Sequence, residues 1–177
     1  LKKALKRYPE ARALRLYYAR LLTRYDLPAA EAEFDLLLEK TPDDPDILFS
    51  HAVVAFENQH YPASRKSFEQ LISRNKRVLV SHYYIGQIEE AEDQLDAAIA
   101  RYRQIGSGKY FMAATQKLID ALAKQNKIEQ ANTTKNSEQA ASAVKSIKTA
   151  IYKEVEKALT QQLVASTQES QKNNAAF

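Results

Sequence analysis

The sequence predicts an all-α solenoid built from helix–turn–helix units, and three observations predict it. Phe34, Phe68 and Tyr102 stand 34 residues apart, and Leu14/Leu48, Leu27/Tyr61/Leu95 and Leu37/Leu71/Ile105 keep the same interval. A fixed period of this size marks stacked units, none of which can bury its apolar face alone. Within each period apolar residues return every three or four positions, as on one face of a helix. Only 3 Gly and 5 Pro occur, too few for a strand-and-turn architecture and easily placed between helices.

The elements follow in order. Leu1 to Pro9 reads as the last turns of a second helix with its terminating proline, so residues 1–10 are expected to end a preceding unit of a longer protein. Full units then run over 11–44, 45–78 and 79–112, with a partial fourth from Ala113 that brings the repeat region to 11–131. In the first unit Leu14, Tyr17, Tyr18, Leu21 and Leu22 line one helix, and Asp26-Leu27-Pro28 makes the turn, with Pro at an early helical position. Ala30, Phe34, Leu37 and Leu38 line its partner, which ends at Thr41-Pro42 because Pro cannot continue a helix. In the second unit Leu48, Ala52, Val53 and Phe56 precede a turn at Tyr61-Pro62, and Phe68, Leu71 and Ile72 follow it. The third carries Tyr84, Ile85 and Gly86, then Ala98 and Tyr102, and closes at Gly106-Ser107-Gly108. The small residues Ala52/Gly86 and Ala30/Ser64/Ala98 keep the period, as close approach of two helices requires.

In the fourth unit Leu118, Ile119, Leu122 and Ala123 share a face, and Ile128 to Ala131 should open a partner helix. Residues 132–136 are polar and read as a linker. Ser137 and Glu138 can start a new helix over 137–165, with Ala140, Val144, Ile147, Ile151, Val155, Leu159 and Leu163 on one face. Residues 166–177 are polar and expected to be disordered. Three roles are open to the long helix: a cap on the solenoid, a docking element for a neighbour, or a segment discontinuous with the native repeat sequence.

Composition narrows the function. With 45% hydrophobic and 27% charged residues, the 177-residue chain has an ordinary globular composition. The absence of Cys excludes disulfides, a thiol nucleophile and a cysteine zinc site. A net charge of +4 is mildly basic and argues for little by itself, and no nucleic-acid partner is expected. No apolar run approaches the roughly 20 residues that span a bilayer. Any targeting segment would lie upstream.

Residues 11–131 resemble tetratricopeptide repeats, on Leu14/Leu48, Ala52/Gly86, Ala30/Ala98, Phe34/Phe68/Tyr102 and Pro42. The departures are Glu89, where an apolar residue is usual, and Tyr110, where Pro42 would recur. The resemblance implies a right-handed superhelix that binds a protein or peptide in its concave groove, without catalysis or cofactor. The phrase His82-Tyr-Tyr-Ile-Gly-Gln-Ile-Glu89, with Ala98, Tyr102-Arg-Gln-Ile-Gly106 and Tyr110, is similar to bacterial outer-membrane lipoproteins of the periplasmic face. One group of these acts as adaptors for carboxy-terminal processing proteases. That likeness implies a periplasmic, outer-membrane-tethered adaptor for such a protease or its substrates. The alternative is a regulatory or self-associating module of a cytoplasmic protein, associating through 137–165.

If first helices line the groove, as in the repeat family, Arg12, Arg15 and Arg24 face it, joined by Phe49, Tyr83 and Gln87 in later units. Arg clamps carboxylates bidentately and aromatic anchors suit peptide recognition. The rival reading for the arginines is a solvated face with i,i+4 partners, and for the aromatics packing against the next repeat. Ala19 and Val53 stand where the carboxylate-clamp subset wants Asn, which argues against chaperone-tail binding. His51 and His82 lie on successive first helices and could approach one another, but two His make a poor metal site, so no metal is expected. Asp43, Asp44 and Asp46 read as helix caps, and Glu89 to Asp93 as a solvated helix end. No nucleophile elbow, phosphate loop or Ser/His/Asp order appears.

Overall fold

The computed structural model describes the backbone of residues 1–133 and 140–174, and the side chains of 1–130 and 145–165. Among the described residues all regular structure is helical: α1 (Lys2–Arg7), α2 (Arg12–Leu22), α3 (Leu27–Lys40), α4 (Pro45–Glu57), α5 (Tyr61–Ser73), α6 (Val78–Ala91), α7 (Leu95–Arg103), α8 (Phe111–Thr133) and α9 (Ala140–Asn174). The fold is an all-α repeat of the α-solenoid class. None of these helices is long and apolar enough to cross a membrane. The chain divides into two compact units, 1–88 and 89–177.

In the first unit each helix packs on the next, α1 on α2 through α4 on α5. Local chemistry sets the boundaries. The Asp26 carboxylate accepts from Ala29 N at 3.0 Å and caps α3, with Pro28 in its first turn. Asp44 accepts from Asp46 N at 3.0 Å and Ile47 N at 3.2 Å, capping α4, whose first residue is Pro45. Such caps satisfy N–H groups that have no intrahelical acceptor.

The aromatic residues at the 34-residue interval are core residues. Phe34 and Phe68 are fully buried, the first among Ala19, Ala30, Leu37, Ile47 and Val54, the second among Leu48, Ala52, Leu71 and Ile85. Burying such a ring contributes about 1.5–3 kcal/mol. Ala30 and Ser64 are likewise sealed at their shared repeat position. Ser64 is tolerated there because its hydroxyl donates to the Ala52 carbonyl at 2.8 Å. The exposed pairs Lys40–Glu10, Arg74–Asp43 and Arg77–Asp46 join segments distant in sequence. Exposed pairs contribute about 0–1 kcal/mol each, so apolar burial holds the hairpins together.

In the second unit α7 packs on α8, and α8 on α9. Tyr102 completes the aromatic series in a buried position, and its hydroxyl donates to Glu90 Oε2 at 2.9 Å. Lys117 Nζ meets the same carboxylate at 3.0 Å. Glu89, the acid in an apolar repeat position, is buried with Arg101 Nε 3.2 Å from its Oε1. A buried carboxylate is tolerated only with such a partner.

Three features differ from expectation. The fourth unit does not break before Ile128, because α8 is one helix from Phe111 to Thr133. The polar segment 132–136 therefore begins inside α8, and its remaining residues lie outside the described ones. The helix placed over 137–165 is described from Ala140 and continues to Asn174, so residues 166–174, expected to be disordered, are helical in backbone. After Gly108 the chain contains no Gly or Pro, and its Gln-, Lys- and Glu-rich stretches propagate helix readily. On α9, Ile147, Ile151 and Val155 are half-buried, whereas Leu159 is 43% exposed. Ala158, not Leu159, continues the stripe that faces α8. Val144 lies outside the described side chains.

Candidate protein-binding site

Arg12, Arg15, Phe49, Tyr83 and Gln87 lie on α2, α4 and α6, and Arg24 in the turn after α2. All belong to the first unit. The guanidinium groups of the first helix are engaged, but across helices and not at i,i+4. Arg12 pairs with Asp44, the cap of α4. Arg15 pairs with Glu33 on α3 and donates to the Pro9 carbonyl at 3.2 Å, and its side chain is only 15% exposed. Arg15 is thus a tie between α2, α3 and the preceding turn, while Arg12 is half-exposed with N–H groups to spare. Arg24 is exposed.

Phe49 is half-buried and makes an edge contact to Phe68, with ring centroids 6.2 Å apart. Arg77 covers its ring at 4.5 Å and also meets Asp46 at 2.6 Å. Packing within its own repeat, on Phe68 of α5 and under Arg77, therefore accounts for Phe49, and not packing against the next repeat. Tyr83 and Gln87 are half-buried, and the Tyr83 ring meets that of Tyr84 edge-on at 5.8 Å. Tyr84 in turn stacks on Phe68 at 5.0 Å. The side chains with accessible surface and binding chemistry are accordingly Arg12, Arg24, Tyr83 and Gln87.

Two polar clusters have no counterpart in the sequence reading. Buried Glu31 on α3 accepts from Asn58 Nδ2 at 2.7 Å and meets His60 Nδ1, holding the α4–α5 turn. The second cluster centres on His51, which is only 4% exposed. Its Nδ1 lies 2.8 Å from the Ser67 hydroxyl, and its Nε2 lies 3.1 Å from Asp35 Oδ1 without the alignment a hydrogen bond requires. Burial pushes the His51 imidazole below its ordinary pKa, against the pull of Asp35 and Glu31 and with His60 adding to the lowering. The polar partners described for His51 are thus on α3 and α5, not His82.

Asp35, His51 and Ser67 follow one another like a hydrolase relay, but Ser67 is buried in the middle of α5. Mid-helix N–H groups are already bonded to carbonyls, so the backbone around Ser67 offers no oxyanion hole. Among the described residues no group of three His, Cys, Asp or Glu could hold a metal ion. Asp35, His51 and Ser67 stand 16 residues apart on three successive helices, an interval that matches no catalytic motif, which is why the sequence alone does not mark the cluster.

A family model described as a tetratricopeptide repeat matches residues 1–45 and 49–108. A search of the curated proteins found no match.

Proposed function

The chain belongs to the tetratricopeptide repeat family, a family of protein-interaction modules, and on that premise we propose that it is an adaptor gripping a partner protein through its first helices. The observation that carries this reading is the survival of accessible binding chemistry on those helices and their turns. Arg12 and Arg24 offer charge, and Tyr83 and Gln87 offer a half-exposed aromatic beside an amide. A guanidinium reaches carboxylates in two-point geometry, and a partly buried Tyr anchors at low entropic cost. An acidic segment or chain terminus is the partner these side chains suit.

The likeness of His82 to Tyr110 to periplasmic lipoprotein adaptors supports a narrower form. In it the partner is a carboxy-terminal processing protease or its substrate, and the full-length protein is tethered at the outer membrane. The test is capture of such a protease from a periplasmic extract by the immobilised chain. Arg24→Glu with Tyr83→Ala should reduce capture at least tenfold at unchanged helicity. Undiminished capture by the double variant would remove this surface from the function, and no capture by the parent chain would remove the protease.

One observation favours a second reading, a self-associating module. On α9, Tyr152 is 71% exposed and Leu159, off the stripe that faces α8, is 43% exposed. A row of apolar side chains in water favours a neighbour.

A further inference from the structure

We propose that the cavity between α7, α8 and α9 is a binding site for an amphipathic anion, a straight-chain alkyl carboxylate of medium length. The cavity has a volume of about 360 Å³ and is lined only by residues of the second unit, so Arg12, Arg24, Tyr83 and Gln87 take no part in it. Gaps between packed helices are a usual place for small-molecule sites, and this volume falls within their ordinary size.

The walls are apolar. Ile105 follows α7, Phe111, Leu118 and Leu122 come from α8, and Ile151 and Val155 come from α9. Apolar atoms that face a void forgo the dispersion contacts a neighbour would give them, and water finds few hydrogen-bond partners in such a space. Neither α8 nor α9 contains a Gly or Pro at which it could bend inward and close the gap. An alkyl chain is the complementary filler, because it follows an irregular apolar space and asks for no polar partner along its length.

The charged groups gather at one rim. On α9 the wall-forming stripe is Ile151, Val155 and Ala158, and Glu154, Lys157 and Gln161 stand along one edge of it, at i, i+3 and i+7. Arg103 of α7 reaches the same edge, 3.5 Å from the Glu154 carboxylate. That pair cancels one charge of each sign, and Lys157 leaves the rim net positive. The Arg103 contact is a single long one, whereas a guanidinium carries five N–H donors, so Arg103 retains donors for a second carboxylate. A carboxylate headgroup at this rim meets Arg103 and Lys157 together, with the Gln161 amide as a neutral donor, while its chain runs between α8 and α9. A cationic headgroup meets net repulsion there, and a chain without a headgroup gains nothing from the rim.

The probe is sodium decanoate, held below its micellar concentration and titrated calorimetrically into the full chain. We expect saturable binding of one decanoate per chain, with the negative heat-capacity change that burial of apolar surface produces. Acetate, the head without the chain, should not bind. Decyltrimethylammonium, a chain of the same length with the opposite charge, should bind about tenfold more weakly or worse. Ala158→Phe places a ring in the cavity from its α9 wall and should abolish binding, with the melting temperature unchanged or raised. Lys157→Glu, at an exposed position, should weaken decanoate about tenfold and strengthen the cationic amphiphile. Equal binding of the two amphiphiles, uptake without saturation, no binding of decanoate, or full binding by either variant would each overturn the proposal. Should Ala158→Phe fail to fold, the reversal of headgroup preference in Lys157→Glu decides alone, since loss of fold would weaken both amphiphiles.

Discussion

At the scale of single residues, His51 couples the fold to pH. In the unfolded chain an imidazole takes up its proton near pH 6.5, whereas in the folded chain burial holds the pKa lower. Between the two values the unfolded state binds more protons, so stability rises with pH there. The contribution is fully present above about pH 6.5 and is lost as pH falls through the folded value. Asp35, Glu31 and His60 act on the ring, and Glu39 and Lys66 line an open pocket that His51 and Asp35 also border. Urea midpoints measured at pH 7 and pH 5 should therefore fall further for the parent chain than for His51→Gln. The uncharged amide can still reach Ser67 but does not titrate. Identical pH slopes for the two proteins would mean that His51 is not held neutral.

At the scale of elements, the turns repeat as faithfully as the cores. Gln59 and Asp93, one period of 34 apart, both adopt the left-handed conformation, with φ of 58° each. The residue after each returns a backbone bond five positions back, His60 N to Ala55 O at 2.8 Å and Gln94 N to Glu89 O at 2.7 Å. Asn75 does the same through Lys76 N to Leu71 O at 2.8 Å. This helix ending normally takes Gly, sometimes Asn, because a Cβ is strained there. Gln59→Gly should therefore stabilise the protein by about 0.5–1 kcal/mol, the strain removed less the entropy Gly adds to the unfolded chain. A denaturation midpoint unchanged or lowered by the substitution would show that the turn carries no strain.

These turns also show what was legible in the sequence. Pro28 marks a helix start openly, Pro42 and Pro62 mark the junctions, and the aromatic period marks the core, so α2 to α5 were readable. Left-handed Gln and Asp carry no such sign. Nor did the sequence show that Arg15 and Phe49 are tied up by Glu33 and Arg77. Those partners lie 18 and 28 residues away, and tertiary packing alone brings them together. The break expected before Ile128 was a repeat pattern carried too far. With no Gly or Pro after Gly108, nothing in the local sequence halts the helix before Ile128, and α8 runs on to Thr133.

At the scale of the whole molecule, the open question is what α9 does for the repeat that precedes it. Within the second unit a cavity of about 360 Å³ lies where α9 meets α7 and α8, walled by Ile105, Phe111, Leu118, Leu122, Ile151 and Val155. Apolar side chains thus meet there without filling the space, and Tyr152, on a flank of α9, is 71% exposed. The last unit of a repeat array needs its terminal face covered. Removing residues 134–177 would bare Leu118, Ile119 and Leu122, and at about 25 cal/mol per Å² the loss should be on the order of 2–4 kcal/mol. For a cap, the truncated chain melts lower at unchanged mass, and its melting temperature does not depend on protein concentration. For a self-associating helix, the intact chain sediments as an oligomer with a concentration-dependent melting temperature, and truncation yields a monomer. If truncation changes neither stability nor mass, α9 is an appendage and both roles fail. The half-buried Ile147, Ile151 and Val155 favour the cap. An amphipathic helix gains most of its stability from such packing, so the truncated chain is expected to melt lower and remain the same size.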